Sequence, residues 1–128
     1  MKIEHLALNV ADPEGMAGWY CRHLGFVVAR KSSGPSLAHF LRDPESGVML
    51  EIYLNPPDLV PDYAGMDPLL LHLAFATGDM GRDCAALVEA GATLVSDQTL
   101  ADGSRVAMLR DPWNLCIQLC QRADGYFS

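Results

Sequence analysis

The chain has 128 residues, half of them hydrophobic, which is enough for one well-buried core and too few for two ordinary independent domains. A single domain spanning 1–128 is therefore expected. The formal net charge of -7, with acidic residues scattered rather than run together, argues against nucleic acid and anionic membrane surfaces as partners and leaves a small molecule open. Glu4 and His5 stand where an export leader needs unbroken apolar residues, and no stretch approaches membrane-spanning length, so a cytoplasmic location is expected. Cys21, Cys84, Cys116 and Cys120 form no C-x-x-C pair and read as reduced, small core residues. Cys116 and Cys120 also stand as outside candidates for soft metal ligands.

A first strand is expected over roughly residues 2 to 10. It runs into Asp12-Pro13, where Asp12 suits a helix cap and Pro13 a first turn. Met16, Trp19, Tyr20, His23 and Leu24 recur at helical spacing up to Gly25, a usual left-handed stop. Phe26 to Arg30 and Leu37 to Leu41 read as strands, and Asp43-Pro44-Glu45-Ser46-Gly47 as the turn into a fourth, Met49-Leu50-Glu51-Ile52-Tyr53-Leu54. Residues 56 to 68 read as a proline-rich linker, either a lid or a surface connection. Beyond it come a strand over 70–77, a helix over 79–90 ending at Gly91, and strands over 94–96, 105–109 and 115–121.

The second half repeats the first. Leu41-Arg42-Asp43-Pro44 recurs as Leu109-Arg110-Asp111-Pro112, and Glu51 follows His5 by 46 positions just as Gln118 follows His72. Each half is one β-α-β-β-β module, 1–55 and 69–128. The expected fold class is α+β, with the tandem modules forming a half-open mixed barrel around a cleft and the helices outside. Strand alternation puts His5, Glu51, His72 and Gln118 on the face opposite the apolar residues that the helices need, so all four should face the cleft. Two imidazoles and a carboxylate on rigid strands suit one divalent ion, Zn, Ni, Mn or Fe(II), with the Gln118 amide oxygen as a weak fourth ligand. Open coordination positions point to chemistry, and with Gln118 unable to carry a proton the expected base is Glu51 or else a metal-bound hydroxide. Tyr53, Asn9, His39 and Arg105 are candidates to orient substrate.

This pattern resembles the vicinal oxygen chelate family, which includes glyoxalase I, methylmalonyl-CoA epimerase, extradiol dioxygenases, and the fosfomycin and bleomycin resistance proteins. The resemblance rests on Ile3 to Val10, Trp19-Tyr20 to Leu24-Gly25, Asp43-Pro44 through Leu50-Glu51-Ile52, His72, and Asp111-Pro112 through Ile117-Gln118-Leu119. It implies four metal positions that fall on His5, Glu51, His72 and Gln118, the last being usually Glu in glyoxalase I, the epimerase and the dioxygenases. It also implies pairing as a homodimer, in some members with the site built from both chains. The expected function is a metal-dependent glyoxalase-like lyase or isomerase that stabilises an enediolate of a small vicinal-oxygen substrate, a hydroxy-carbonyl or a hemithioacetal. A glutathione adduct is one candidate, although the cationic residues that glyoxalase I uses for it are not matched. The alternatives are an Fe(II) extradiol-type dioxygenase and a non-catalytic binder of the resistance-protein kind.

Overall fold

The structure is a computed structural model and describes residues 1–125. It divides into two compact units, Met1–Pro61 and Asp62–Ser128. In the first, β1 (Leu6–Asn9) is followed by α1 (Pro13–His23), β2 (Val27–Lys31), β3 (His39–Arg42), β4 (Met49–Tyr53) and a 3-10 turn at Pro57–Leu59. In the second, β5 (Leu73–Ala76) is followed by α2 (Met80–Glu89), β6 (Thr93–Thr99), β7 (Arg105–Arg110) and β8 (Cys116–Gln121). Each unit is thus a βαβββ module, as the repeat in the sequence implies, and the fold class is α+β. Among the described residues no helix is long and apolar enough to cross a membrane.

Both helices start where a carboxylate can take up a free backbone N–H. Asp12 accepts from the Gly15 amide and Asp79 from the Arg82 amide, each at 3.0 Å. After α1 the chain turns through Gly25 at φ +78°, and after α2 through Gly91 at φ +107°, backbone conformations that cost glycine nothing. The α1 stripe buries Met16, Trp19 and Tyr20, while His23 stays exposed and touches only the edge of the stripe, its ring 5.2 Å from that of Trp19.

The two sheets have the same plan. Their strand orders are β1-β4-β3-β2 and β5-β8-β7-β6, with the first pair in each parallel and the other two antiparallel. In the first, Ala7 lies opposite Glu51; in the second, Ala74 lies opposite Gln118. His5 and His72 each stand two residues before that alanine and one residue before their strand begins, so the equal spacing in the sequence is an equal register in space. Leu8, Leu41, Leu50 and Ile52 bury one face of the first sheet, against which α1 packs, and Leu109, Ile117 and Leu119 bury the corresponding face of the second under α2.

The strands are shorter than the sequence pattern suggests at β1 and β5, and longer at β6, which extends to Thr99. β6 is an edge strand with little burial, so hydrophobic periodicity says nothing about its length. The proline-rich stretch is not a free lid. Asn9 holds its front, donating to the Pro56 carbonyl at 3.0 Å and accepting from the Asn55 amide at 2.9 Å, and Arg110 holds its back, donating to the carbonyls of Tyr63 at 2.7 Å and Met66 at 2.9 Å. Tyr63 is buried.

The turn before β8 depends on Asp111, which is 3% exposed and whose Oδ1 accepts from the amides of Trp113 and Leu115 at 2.9 Å each. Asp111→Ala would leave these N–H groups without their acceptor and should cost about 2–3 kcal/mol, whereas Asp43→Ala, in the less buried copy of the turn, should cost under about 1 kcal/mol. Urea unfolding midpoints of the two variants measure the difference.

Candidate metal and substrate site

In the first unit the site is built on the parallel pair β1/β4. Glu51 sits mid-strand with Ile52 fully buried behind it, and its side chain, 22% exposed, meets the imidazole of His5: Oε2 lies 3.1 Å from Nε2. The other ring nitrogen, Nδ1, contacts the Glu4 carboxylate. A carboxylate at each ring nitrogen favours the imidazolium form, which can donate from both. The Glu4 hydrogen bond above all, then the charges of Glu4 and Glu51, raise the His5 pKa above its ordinary 6.5 against an opposing desolvation. Phe40 lies across from Glu51 on β3 and meets the His5 ring edge-on at 5.5 Å between centroids, and the Arg30 guanidinium stands 5.9 Å from the Phe40 ring.

In the second unit His72 donates from Nδ1 to the Pro68 carbonyl at 2.8 Å. A carbonyl cannot donate, so Nδ1 carries the hydrogen of this bond and Nε2 is the ring's other end, an arrangement that orients a metal-ligating histidine. Gln118 accepts from the Cys120 thiol at 3.2 Å through Oε1, and Met108 lies opposite it on β7.

Two donors sharing one ion at about 2.1 Å each stand about 3.0–3.4 Å apart, so the 3.1 Å of His5 and Glu51 suits a common cation. His72 presents an oriented nitrogen and Gln118 a neutral oxygen. Among the described residues, however, no group of three or more His, Cys, Asp or Glu is gathered to hold an ion. The structure therefore shows one donor pair and one oriented imidazole in separate units. Their chemistry fits a divalent ion.

The four substrate candidates divide. Tyr53 shares the Glu51 face and lies opposite Asn9, whose amide is committed to the chain leaving β4. His39 and Arg105 lie elsewhere. His39 stands opposite Ile52, is 4% exposed and has its Nδ1 bonded to the Leu37 carbonyl at 2.6 Å, which places it on the helix-covered face. Arg105 lies opposite Gln121, on the face of β8 away from Gln118, and pairs bidentately with Asp97 at 2.9 and 2.6 Å. Neither is carried forward as a substrate residue. Cys116 and Cys120 are buried with free thiols whose pKa burial pushes up, so they are poor thiolate ligands. Glu4, Phe40 and Arg30 belong to the site and were not among the sequence candidates; the only signal for Glu4 was its adjacency to His5.

Paired βαβββ units, each with a histidine before its first strand and a polar residue in the middle of its last, define the vicinal oxygen chelate architecture. The chain belongs to the Glyoxalase/Bleomycin resistance protein/Dioxygenase superfamily, whose family model matches residues 2–119. Among solved structures it is similar to a glyoxalase family protein from Enterococcus faecalis, at 25% identity over 94% of this chain and 97% of that one, with a TM-score of 0.74. It is also similar to TnmS3, an antibiotic binding protein from Streptomyces sp. CB03234, at 24% identity over 96% and 99%, TM-score 0.72. A glyoxalase/bleomycin resistance protein from Albidiferax ferrireducens T118 matches at 24% identity over 94% and 98%, TM-score 0.63. No curated protein matches the chain.

The His5 titration tests the geometry directly. The contribution of this ion-paired imidazolium to stability is fully present below pH 6.5 and is lost as pH rises through the raised folded-state value. An NMR titration of the His5 ring protons should give a midpoint above 6.5, lowered more by Glu4→Gln than by Glu51→Gln.

Proposed function

We propose that this protein is a metal-dependent lyase or isomerase of the glyoxalase kind, acting on a small hydroxy-carbonyl or hemithioacetal substrate. The observation that carries the reading is the His5–Glu51 pair, two donors at 3.1 Å on the rigid β1/β4 ladder. His72, held through Nδ1, supports it as the repeat counterpart of His5. His5, Glu51, His72 and Gln118 would hold one divalent ion, Zn, Ni, Mn or Fe(II). Such an ion supplies, when bound, Lewis-acid stabilisation of negative charge on substrate oxygen.

The chain's own residues supply the rest. Glu51 is the group that moves the substrate proton, because the Gln118 amide can neither take nor give one. Phe40, edge-on to His5, fixes the plane of the imidazole. Glu4 locks the same ring from its other nitrogen, so Nε2 keeps its aim toward Glu51. Tyr53, on the Glu51 face, is placed to orient substrate. Each unit carries half of the donor set, and assembly as a homodimer is part of the proposal.

A second reading, a binder without catalysis, is favoured by one observation: among the described residues no three ligating groups are gathered, and His5 is satisfied by carboxylates alone. The antibiotic binding protein TnmS3, at 24% identity, shares the fold and lends no ligand to this chain.

Chelator-stripped protein should turn over neither a hemithioacetal nor an α-hydroxyketone, and nickel or zinc should restore turnover. Glu51→Gln should lower the restored kcat by at least about a hundredfold, the usual weight of a general base. Binding of a substrate analogue without any metal-dependent turnover would favour the binder, and oxygen uptake with a catechol after anaerobic iron loading would favour a dioxygenase. Gln118→Glu should raise metal affinity by adding a charged donor, read by competition with a fluorescent chelator.

A further inference from the structure

On the second sheet a cavity of about 180 Å³ is lined by Ala74, Phe75, Ala76, Cys120 and Arg122. Ala74 lies opposite Gln118 and Ala76 opposite Cys120, so the alanines and Cys120 share the Gln118 face, and His72 precedes Ala74 by one full pleat. The cavity therefore continues along the same strands from two of the proposed metal donors. It exists because the two pleat positions beside β8 carry methyl groups where larger side chains would fill the space. Its volume corresponds to about six waters, the scale of an organic molecule of a few carbons.

The lining is apolar except at one end. Arg122, just past the end of β8, lines that end, and among the described residues its guanidinium makes no ion pair or side-chain hydrogen bond. The Asp102 carboxylate, whose charge it feels, is engaged instead by the Ser104 amide at 2.8 Å and the Ser104 hydroxyl at 3.1 Å. A guanidinium with no ion-pair partner among the described residues, on a chain of net charge -7, is a local attraction in a field that otherwise repels anions. One planar fork matches one carboxylate, whereas phosphate sites gather several cations or a row of backbone N–H groups, which this cavity lacks.

We propose that this cavity is a subsite for a small carboxylic acid, its carboxylate on Arg122 and its short carbon chain over Ala74 and Ala76. The proposal extends the reading of the site given above by naming its substrate class: a molecule that carries a carboxylate a few carbons from its reacting oxygens. Four residues of strand span about 13 Å, and the arginine side chain reaches back over part of that distance, so a chain of a few carbons bridges Gln118 to the guanidinium.

The test uses the full chain with ¹³C-labelled alanine methyls, titrated with 4-oxopentanoate and with its uncharged methyl ester. The acid should shift the Ala74 and Ala76 methyls saturably, and the ester should bind at least tenfold more weakly. Arg122→Gln should bring the acid down to the level of the ester, and Arg122→Lys should keep a preference for the acid. Ala74→Leu, which fills the cavity and leaves the arginine in place, should abolish the shift of the Ala76 methyl. Equal binding of acid and ester, unchanged binding by Arg122→Gln, or no shift of either methyl overturns the subsite. Because none of the lining residues is a proposed metal donor, the shifts should appear with and without chelator. Methyl shifts that persist in a protein without metal-dependent turnover would remove the lyase reading alone, and turnover without the shifts would remove the subsite alone.

Discussion

Glu51 is a carboxylate in the middle of a strand whose opposite face is sealed, and a charge in that position needs a positive partner or a retreat to water. The parallel register of β1 on β4 supplies the partner by bringing His5 to 3.1 Å. The partner is over-supplied with negative charge, because Glu4 takes the other nitrogen of the same ring. The result is an imidazole with a carboxylate at each nitrogen, and the proton between Nε2 and Glu51 is what a divalent cation displaces when it binds a histidine and an acid. Proton and cation are therefore competitors for one place, and the same raised basicity that holds the proton makes His5 a good ligand once the proton leaves.

The repeat carries this geometry twice with different chemistry. In the second unit the neighbour before the histidine is Leu71 instead of an acid, His72 is anchored to a backbone carbonyl, and the mid-strand residue is an amide bonded to a thiol. In one module both ring nitrogens of the histidine meet carboxylates, whereas in the other one nitrogen is held by a carbonyl. The backbone positions repeat while the side chains differ: the first unit pairs an imidazole with a carboxylate, and the second sets an imidazole on a carbonyl and an amide against a thiol. The small side chains of Ala74 and Ala76, beside Gln118 and Cys120, leave room for a cavity in that unit.

The modules, the caps at Asp12 and Asp79, the glycine stops and the matched histidine spacing were all legible, because each leaves a local signature or an internal repeat. The faces of His39 and Arg105 were not. Leu37-Ala38-His39-Phe40-Leu41 and Arg105-Val106-Ala107-Met108-Leu109 have apolar residues at both parities, so the pleat phase cannot be read from the run itself, and one step of phase moves every side chain to the other face. Only the pairing of His39 with Ile52 and of Arg105 with Gln121 sets it. The bonds from Arg110 to the proline-rich stretch join residues more than 40 positions apart and left no trace in local pattern. Glu4 was hidden by reading residues 2 to 10 as one strand, in which neighbours point to opposite faces; the strand begins only at Leu6, and before it Glu4 is free to turn back onto His5.

Whether the duplicated polar positions serve one cation, as proposed, is decided by anomalous scattering measured on either side of the nickel and zinc absorption edges, on crystals of untagged protein. The expected result is a single metal peak within bonding distance of His5 Nε2, a Glu51 oxygen and His72 Nε2. A crystal grown with excess metal that shows no such peak, with His5 still bridged between Glu4 and Glu51, would contradict it.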